Sequence, residues 1–217
     1  CDSAHSSTMF QPSIIYHHYA NEQEHINSLS FDTSGHTLIL VPLVYFIDEV
    51  YKLLTPETRE QTLIWHGELS EKEQFDRWVQ IRNGKKKIII GTRSAVFLPF
   101  PKLDRIIIDY EHDENHKHWD QAPRFHVKDI AKELAHILGA ELHLMSYTQS
   151  CDSYFQVAKG NWQTQPVLVR SDRLSQSEIC HIIDLAAERR AGIFGMVADE
   201  TKEAIRNAAA DVFIYIN

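Results

Sequence analysis

The chain has few cysteines, no long apolar run and no excess of positive charge. Three cysteines in 217 residues, Cys1, Cys151 and Cys180, are too few and too scattered for a disulfide framework or a four-cysteine zinc site. They read as packed or surface thiols, and a reducing cytosol, hence a cytoplasmic location, fits best. No apolar stretch reaches the roughly 18 to 20 residues of a membrane span, and the opening CDSAHSSTMF lacks the regions of a secretion signal. A chain that opens on Cys1 instead of Met reads as a processed or truncated product, with the residue left by lipoprotein cleavage as the alternative. Lys and Arg number 22 against 30 Asp and Glu, a net charge of −8, which suits a soluble protein and argues against one whose main task is coating nucleic acid. A local basic groove is still compatible with that balance. No G-x-S-x-G and no Ser-His-Asp or Cys-His arrangement can be read.

What is present is ordinary for a globular protein: 43% apolar and 24% charged residues. About 70% of the surface of a chain this long can be buried, enough for one large domain or two small ones. Strand-like apolar runs alternate with amphipathic, helix-length segments, the pattern of βαβ units in a mainly parallel sheet. Strands are expected at 13–18, 37–42, 61–66, 87–92, 105–110 and 141–146, and helices at 20–29, 43–54, 70–82, 127–138 and 150–158. Ser70 with Glu73 forms a capping box, Thr55-Pro56 reads as a helix stop, and Pro99 and Pro101 enforce a loop. The isoleucine-rich runs KIIIGT and RIIIDY suit strands buried on both faces.

The expected organisation is a mobile segment over 1–12, an α/β lobe over 13–160, and a smaller α/β portion over 161–217. In that last portion strands are expected at 166–170, 192–197 and 211–216, and helices at 175–190 and 199–209. The helix over 175–190 carries Ile179, Ile182, Ile183 and Ala186 on one face, for the sheet or for a partner. Trp65, Trp78 and Trp162 read as core or lobe-edge packing.

The richest stretch is 91–126, GTRSAVFLPFPKLDRIIIDYEHDENHKHWDQAPRFH. Asp109 ends an apolar strand, with Glu111 and His112 beyond it, which places acidic groups at the carboxyl edge of a parallel sheet, where α/β folds bind ligands. Thr92, Arg93 and Ser94 leave a second strand at the same edge. Arg93, Lys117 and Arg124, helped by Lys85, Lys86 and Lys87, would form a phosphate-contacting strip, with Trp119 and Phe125 as stacking faces for single-stranded bases. Alternatively, Arg93 and Arg124 pair with Asp109, Glu111 or Asp113 and merely hold the crevice together. His112, His116, His118 and His126 invite a metal site completed by Asp109 or Glu111; the competing reading leaves His116 and His118 on a solvated loop. No metal site is assigned.

These motifs resemble the DEAD/DEAH-like helicases, most closely the primosomal protein N′ (PriA) type of replication-restart helicase. The resemblance rests on Val41-Pro42, HGELS at 66–70 before a helix with Trp78, GTRSAVFLPF at 91–100, DYEHD at 109–113, Lys117, APRFH at 122–126 with Asp129, and SYTQSCDSY at 146–154. It covers about residues 13–160 and implies the first RecA-like lobe of a P-loop NTPase-type motor, which in the family uses ATP and Mg²⁺ to move on DNA.

The departures bear on activity. Where the family has a GxxGxGKT phosphate loop, this chain reads HHYANEQEH over His17 to His25. Gln23 stands in place of the lysine, Glu24 in place of the Mg²⁺-binding Thr, and Ala20 and Glu22 in place of glycines. Tyr110 replaces the carboxylate that orients the attacking water, and the third motif reads Met145 to Ser150. His17 and His18 then fill space. No cysteine-rich zinc module and no recognisable second-lobe motif is found. The resemblance with these departures implies a lobe that has lost ATP hydrolysis, needs no cofactor, and binds single-stranded or forked DNA or replication-restart proteins. Asp109, Glu111 and His112 would be vestigial. The alternatives are a helicase fragment that needs a second lobe in trans, and a His/Asp metal-dependent hydrolase.

Overall fold

The computed structural model describes residues 12–19, 21, 24, 25, 29, 35–119, 122–164, 189, 190, 192 and 199–207. The chain divides into two units, residues 1–167 and 168–217. In the first, five short apolar runs become the strands of one parallel sheet with a sixth, longer one: β1 (Ile14–His18), β2 (Thr37–Leu40), β3 (Thr62–Trp65), β4 (Ile88–Gly91), β5 (Arg105–Ile108) and β8 (Glu141–Ser146). Their order is β3-β4-β2-β5-β8-β1, with β9 (Gln163–Thr164) added beside β1. The added strand lies past the boundary expected near residue 160. The central pairing sets Ile39 opposite Ile90 and Ile107, and Leu40 opposite Gly91 and Ile108.

Period-2 alternation splits these strands between two cores. Leu38, Leu40, Ile89, Ile106 and Ile108 face one side of the sheet, where Trp65, Trp78 and Trp162 pack half-buried at the margin; Ile39, Val41, Ile88, Ile90 and Ile107 face the other. Both faces are covered, which is why the isoleucine runs show no polar alternation. The helices are α1 (Val44–Lys52), α2 (Pro56–Glu60), α3 (Glu71–Arg82), α4 (Val127–Leu138) and α5 (Cys151–Ala158). The capping box at α3 is formed as expected: Glu73 N–H donates to Ser70 Oγ, and Ser70 N–H to Glu73 Oε2. Gly139 caps α4 in the left-handed region, φ 69°.

Three local expectations change. Thr55-Pro56 ends α1 but also starts α2, because Thr55 Oγ1 accepts from Thr58 N–H and Pro56 sits at the first helical position. The loop after β4 begins with a 3₁₀ turn over Arg93–Phe97, and a small antiparallel hairpin, β6 (Lys117–His118) with β7 (Phe125–His126), follows β5. Of the helix expected at 20–29, the described residues show two helical-type bonds, His25 N–H to Asn21 O and Leu29 N–H to His25 O; the rest of it lies outside the described residues. In the second unit the helix expected at 199–209 is seen as α6 (Asp199–Asn207). Of the other elements expected after 165, residues 189 and 190 are described and are helical, at the end of the helix expected at 175–190, and Gly192 lies in a turn; the rest fall outside the described residues, as do the N-terminal segment through residue 11, Ala20, Gln23 and Cys180.

Candidate functional site

All main strands of the sheet are parallel, so β1, β2, β4, β5 and β8 deliver their following residues to one edge. There Asp109, fully buried, is held by three donors. Tyr19 Oη donates to Oδ1 at 2.8 Å, the Tyr110 N–H to the same oxygen at 2.9 Å, and His25 Nε2 lies 2.7 Å from Oδ2. Tyr19 has no exposed surface, and burial and then the Asp109 carboxylate push its phenol well above the usual tyrosine range. The Tyr19 and His25 rings stack at 4.4 Å, and Tyr147 meets Tyr19 edge-on at 4.2 Å. Glu24 is tied to Asn21, whose side chain donates to Oε1 at 3.3 Å and accepts from the Glu24 N–H.

Tyr110 is a non-glycine residue at φ 51°, a conformation that costs about 1–3 kcal/mol. Its half-buried ring leans on Phe46 of α1 at 4.5 Å. Beyond this cluster a pocket of about 470 Å³ opens between α1 and the turn after β5, lined in part by His25, Phe46, Glu49, Lys52, Tyr110 and Tyr147.

Glu111 is also buried but belongs to a separate network. Its carboxylate accepts from Lys128 Nζ at 2.8 Å, from the Ser150 N–H and hydroxyl at 2.8 and 2.9 Å, and from the Ser153 hydroxyl at 2.9 Å. Burial pushes its acidity toward the neutral form, and Lys128 with Ser150 outweighs it, so the carboxyl is held below the usual range. This network pins the start of α5 to the turn after β5. His112, exposed, bonds the Ser146 hydroxyl through Nδ1.

The remaining site residues lie on the other side of the edge. The Thr92 N–H donates to Trp65 O, Ser94 is exposed, and Arg93 Nη1 donates to the Lys117 carbonyl at 3.3 Å. Lys117 pairs with Glu114 at 2.9 Å and lies 5.2 Å over the Trp119 ring, which is 57% exposed. Phe97, 56% exposed, meets Phe125 edge-on at 4.9 Å, and Arg124 is exposed. The pairing of Arg93 and Arg124 with Asp109 and Glu111 is not what forms, since those carboxylates take His25 and Lys128 instead. Nor do Lys85, Lys86 and Lys87 join a strip with Arg93: they precede β4 and Arg93 follows it, so they sit at opposite edges of the sheet.

The histidines point different ways. His116, fully buried, contacts the Asp109 carbonyl at 2.8 Å; His118 contacts Pro123 O; His126 caps α4 by accepting the Lys128 N–H. Burial, then Lys128, pushes the His126 imidazole down to about 4. Among the described residues no three His, Cys, Asp or Glu side chains stand together to hold a metal ion. His17 lies 2.8 Å from His143 on the neighbouring strand. Tyr19, Phe46 and Lys128 were not singled out from sequence. Tyr19 is 90 residues from Asp109, and Phe46 and Lys128 sit inside amphipathic runs, so only the sheet order brings them together.

Among the described residues no helix is long and apolar enough to cross a membrane. No family model matches the chain. Curated relatives do: the replication restart protein PriA of Bacillus subtilis is 28% identical over 173 residues, which is 80% of this chain and 21% of the relative. PriA of Synechocystis is 32% identical over 161 residues, 71% and 19%, and that of Haemophilus influenzae 33% over 150, 68% and 20%. Among solved structures, the C-terminal domain of a DEAD-box protein superposes with a TM-score of 0.47 at 17% identity, covering 71% of this chain and 89% of that one. The helicase MrfA bound to DNA gives 0.47 at 11% identity, covering 68% and 22%. Over most of its own length, then, the chain is similar to the replication restart protein PriA, and it spans about a fifth of the length of those relatives.

Proposed function

We propose that this replication-restart helicase-related lobe has lost ATP turnover and works in the cytoplasm as a binding module for single-stranded or forked DNA. The observation that carries the reading is the closed arrangement at Asp109. A motor of this class needs an Asp that reaches Mg²⁺, a hydroxyl on the metal, a lysine on the phosphates and a carboxylate for the attacking water. Here the Asp109 oxygens accept from Tyr19, His25 and the Tyr110 N–H, the Tyr19 and His25 rings stack beside that carboxylate, and Tyr110 has no carboxylate. Glu24, which by position stands where the resembled motif has its Mg²⁺-binding Thr, brings a negative charge that is unfavourable beside a triphosphate. These residues do not fit a Mg²⁺-nucleotide, and loss of one such group alone raises a barrier by several kcal/mol.

The DNA partner is supported by the exposed rings of Trp119 and Phe97, the latter against half-buried Phe125, together with Lys117, Arg93 and Arg124, aromatic faces for bases and cations for phosphates. A replication-restart protein as the partner is the competing outcome. The test measures ATP hydrolysis and single-strand binding by the purified chain. No DNA-stimulated hydrolysis is expected, and Trp119→Ala should weaken binding about tenfold, at roughly 1–3 kcal/mol per stacked base. DNA-stimulated hydrolysis would restore the motor, and unchanged affinity in Trp119→Ala would remove this surface from the account.

A further inference from the structure

We infer that the pocket between α1 and the turn after β5 seats a single unstacked base of the bound strand. The inference rests on the DNA-binding reading and adds to it a site away from the Trp119 surface. The pocket, about 470 Å³, lies within the 300–1,000 Å³ of small-molecule sites. Four of its lining residues carry planar rings, His25, Phe46, Tyr110 and Tyr147. Phe46 and Tyr110 meet at 4.5 Å, and Tyr110 and Tyr147 at 6.0 Å. Tyr110 keeps its place in this wall at φ 51°, in a conformation that a tyrosine rarely adopts.

The polar groups narrow the ligand. Glu49 and Lys52 both line the pocket, one turn of α1 apart, and Tyr45 hydrogen-bonds Glu49. A carboxylate accepts from the exocyclic amine of cytosine, and an ammonium offers a point charge to the adjoining phosphate. A triphosphate suits the pocket poorly, because one ammonium stands against the Glu49 carboxylate. An unstacked base with one phosphate matches aromatic walls, one acceptor and one cation.

The test uses the full chain and short single strands, one series with 2-aminopurine at a central position. Burial against the rings should quench the probe as the strand binds. Phe46→Ala should abolish the quench and weaken binding about tenfold, as loss of one stacking face does. Glu49→Gln, which keeps shape and fold, should erase a preference for oligo-dC over oligo-dT. If the wild type binds but its probe brightens or stays unchanged, or if both variants behave as wild type, the pocket is not a base site and the Trp119 surface stands alone. No binding by the wild type at low salt overturns both readings.

Discussion

Lys128 shows at residue scale how a buried acid is held in place by the fold. The glutamate of DYEHD is kept in place by Lys128 and the α5 cap, with Ser150 and Ser153 filling its remaining acceptor positions. Removing Lys128 leaves a buried carboxylate without its cation, which costs about 3–5 kcal/mol. Lys128→Ala should lower urea-denaturation stability by that amount, and Lys128→Met combined with Glu111→Gln should recover part of it. A loss under about 1 kcal/mol in Lys128→Ala would show that the network is not stabilising. His126 gives a pH signature. Its folded value is about 4, against about 6.5 unfolded. The unfolded chain therefore takes up a proton first as pH falls, and stability declines from about pH 6.5 toward pH 4. The neutral ring accepts the Lys128 N–H, as an Asn side chain can. His126→Asn should keep the cap and flatten that part of the stability-against-pH curve; an unchanged slope would assign the acid sensitivity elsewhere.

At the scale of elements, the turn after β4 is set by one close approach. A Cβ on Gly91 would lie 2.6 Å from Ala95 Cβ and 2.6 Å from the Trp65 carbonyl oxygen, so the 3₁₀ turn that carries Arg93 and Ser94 can fold back only over a glycine. Gly91→Ala should destabilise the chain by about 1–3 kcal/mol, as overpacking does, and displace Arg93. A melting temperature within a degree of wild type would contradict this. The strands and the longer helices were readable because period-2 and 3.6-residue patterns are local. The hairpin of β6 and β7 was not, since two-residue strands have too few residues to show a period. Helix α2 hid behind Pro56, which stops one helix and starts another. The interpretation of Arg93 and Arg124 as partners for Asp109 and Glu111 failed for a different reason. Charge was counted along the chain, while His25 and Lys128 reach Asp109 and Glu111 through the fold.

At the scale of the whole molecule, the mainly parallel sheet and the similarity to the replication restart protein PriA could both be read from sequence. The state of the sheet edge at Asp109 could be read only in part. Gln23, Glu24 and Tyr110 stand out against the motif pattern, but nothing in HHYANEQEH shows that Tyr19 and His25 turn inward to occupy the Asp109 carboxylate from 90 and 84 residues away. That contact engages both Asp109 oxygens, and the proposal that this lobe no longer binds a Mg²⁺-nucleotide, the central claim, rests on it. The most direct measurement is titration of the purified chain with a fluorescent ATP analogue, with and without Mg²⁺, followed by anisotropy. The account predicts no binding up to millimolar analogue in either condition. Micromolar, Mg²⁺-dependent binding would contradict it, because Asp109 would then have exchanged Tyr19 and His25 for metal-bound water.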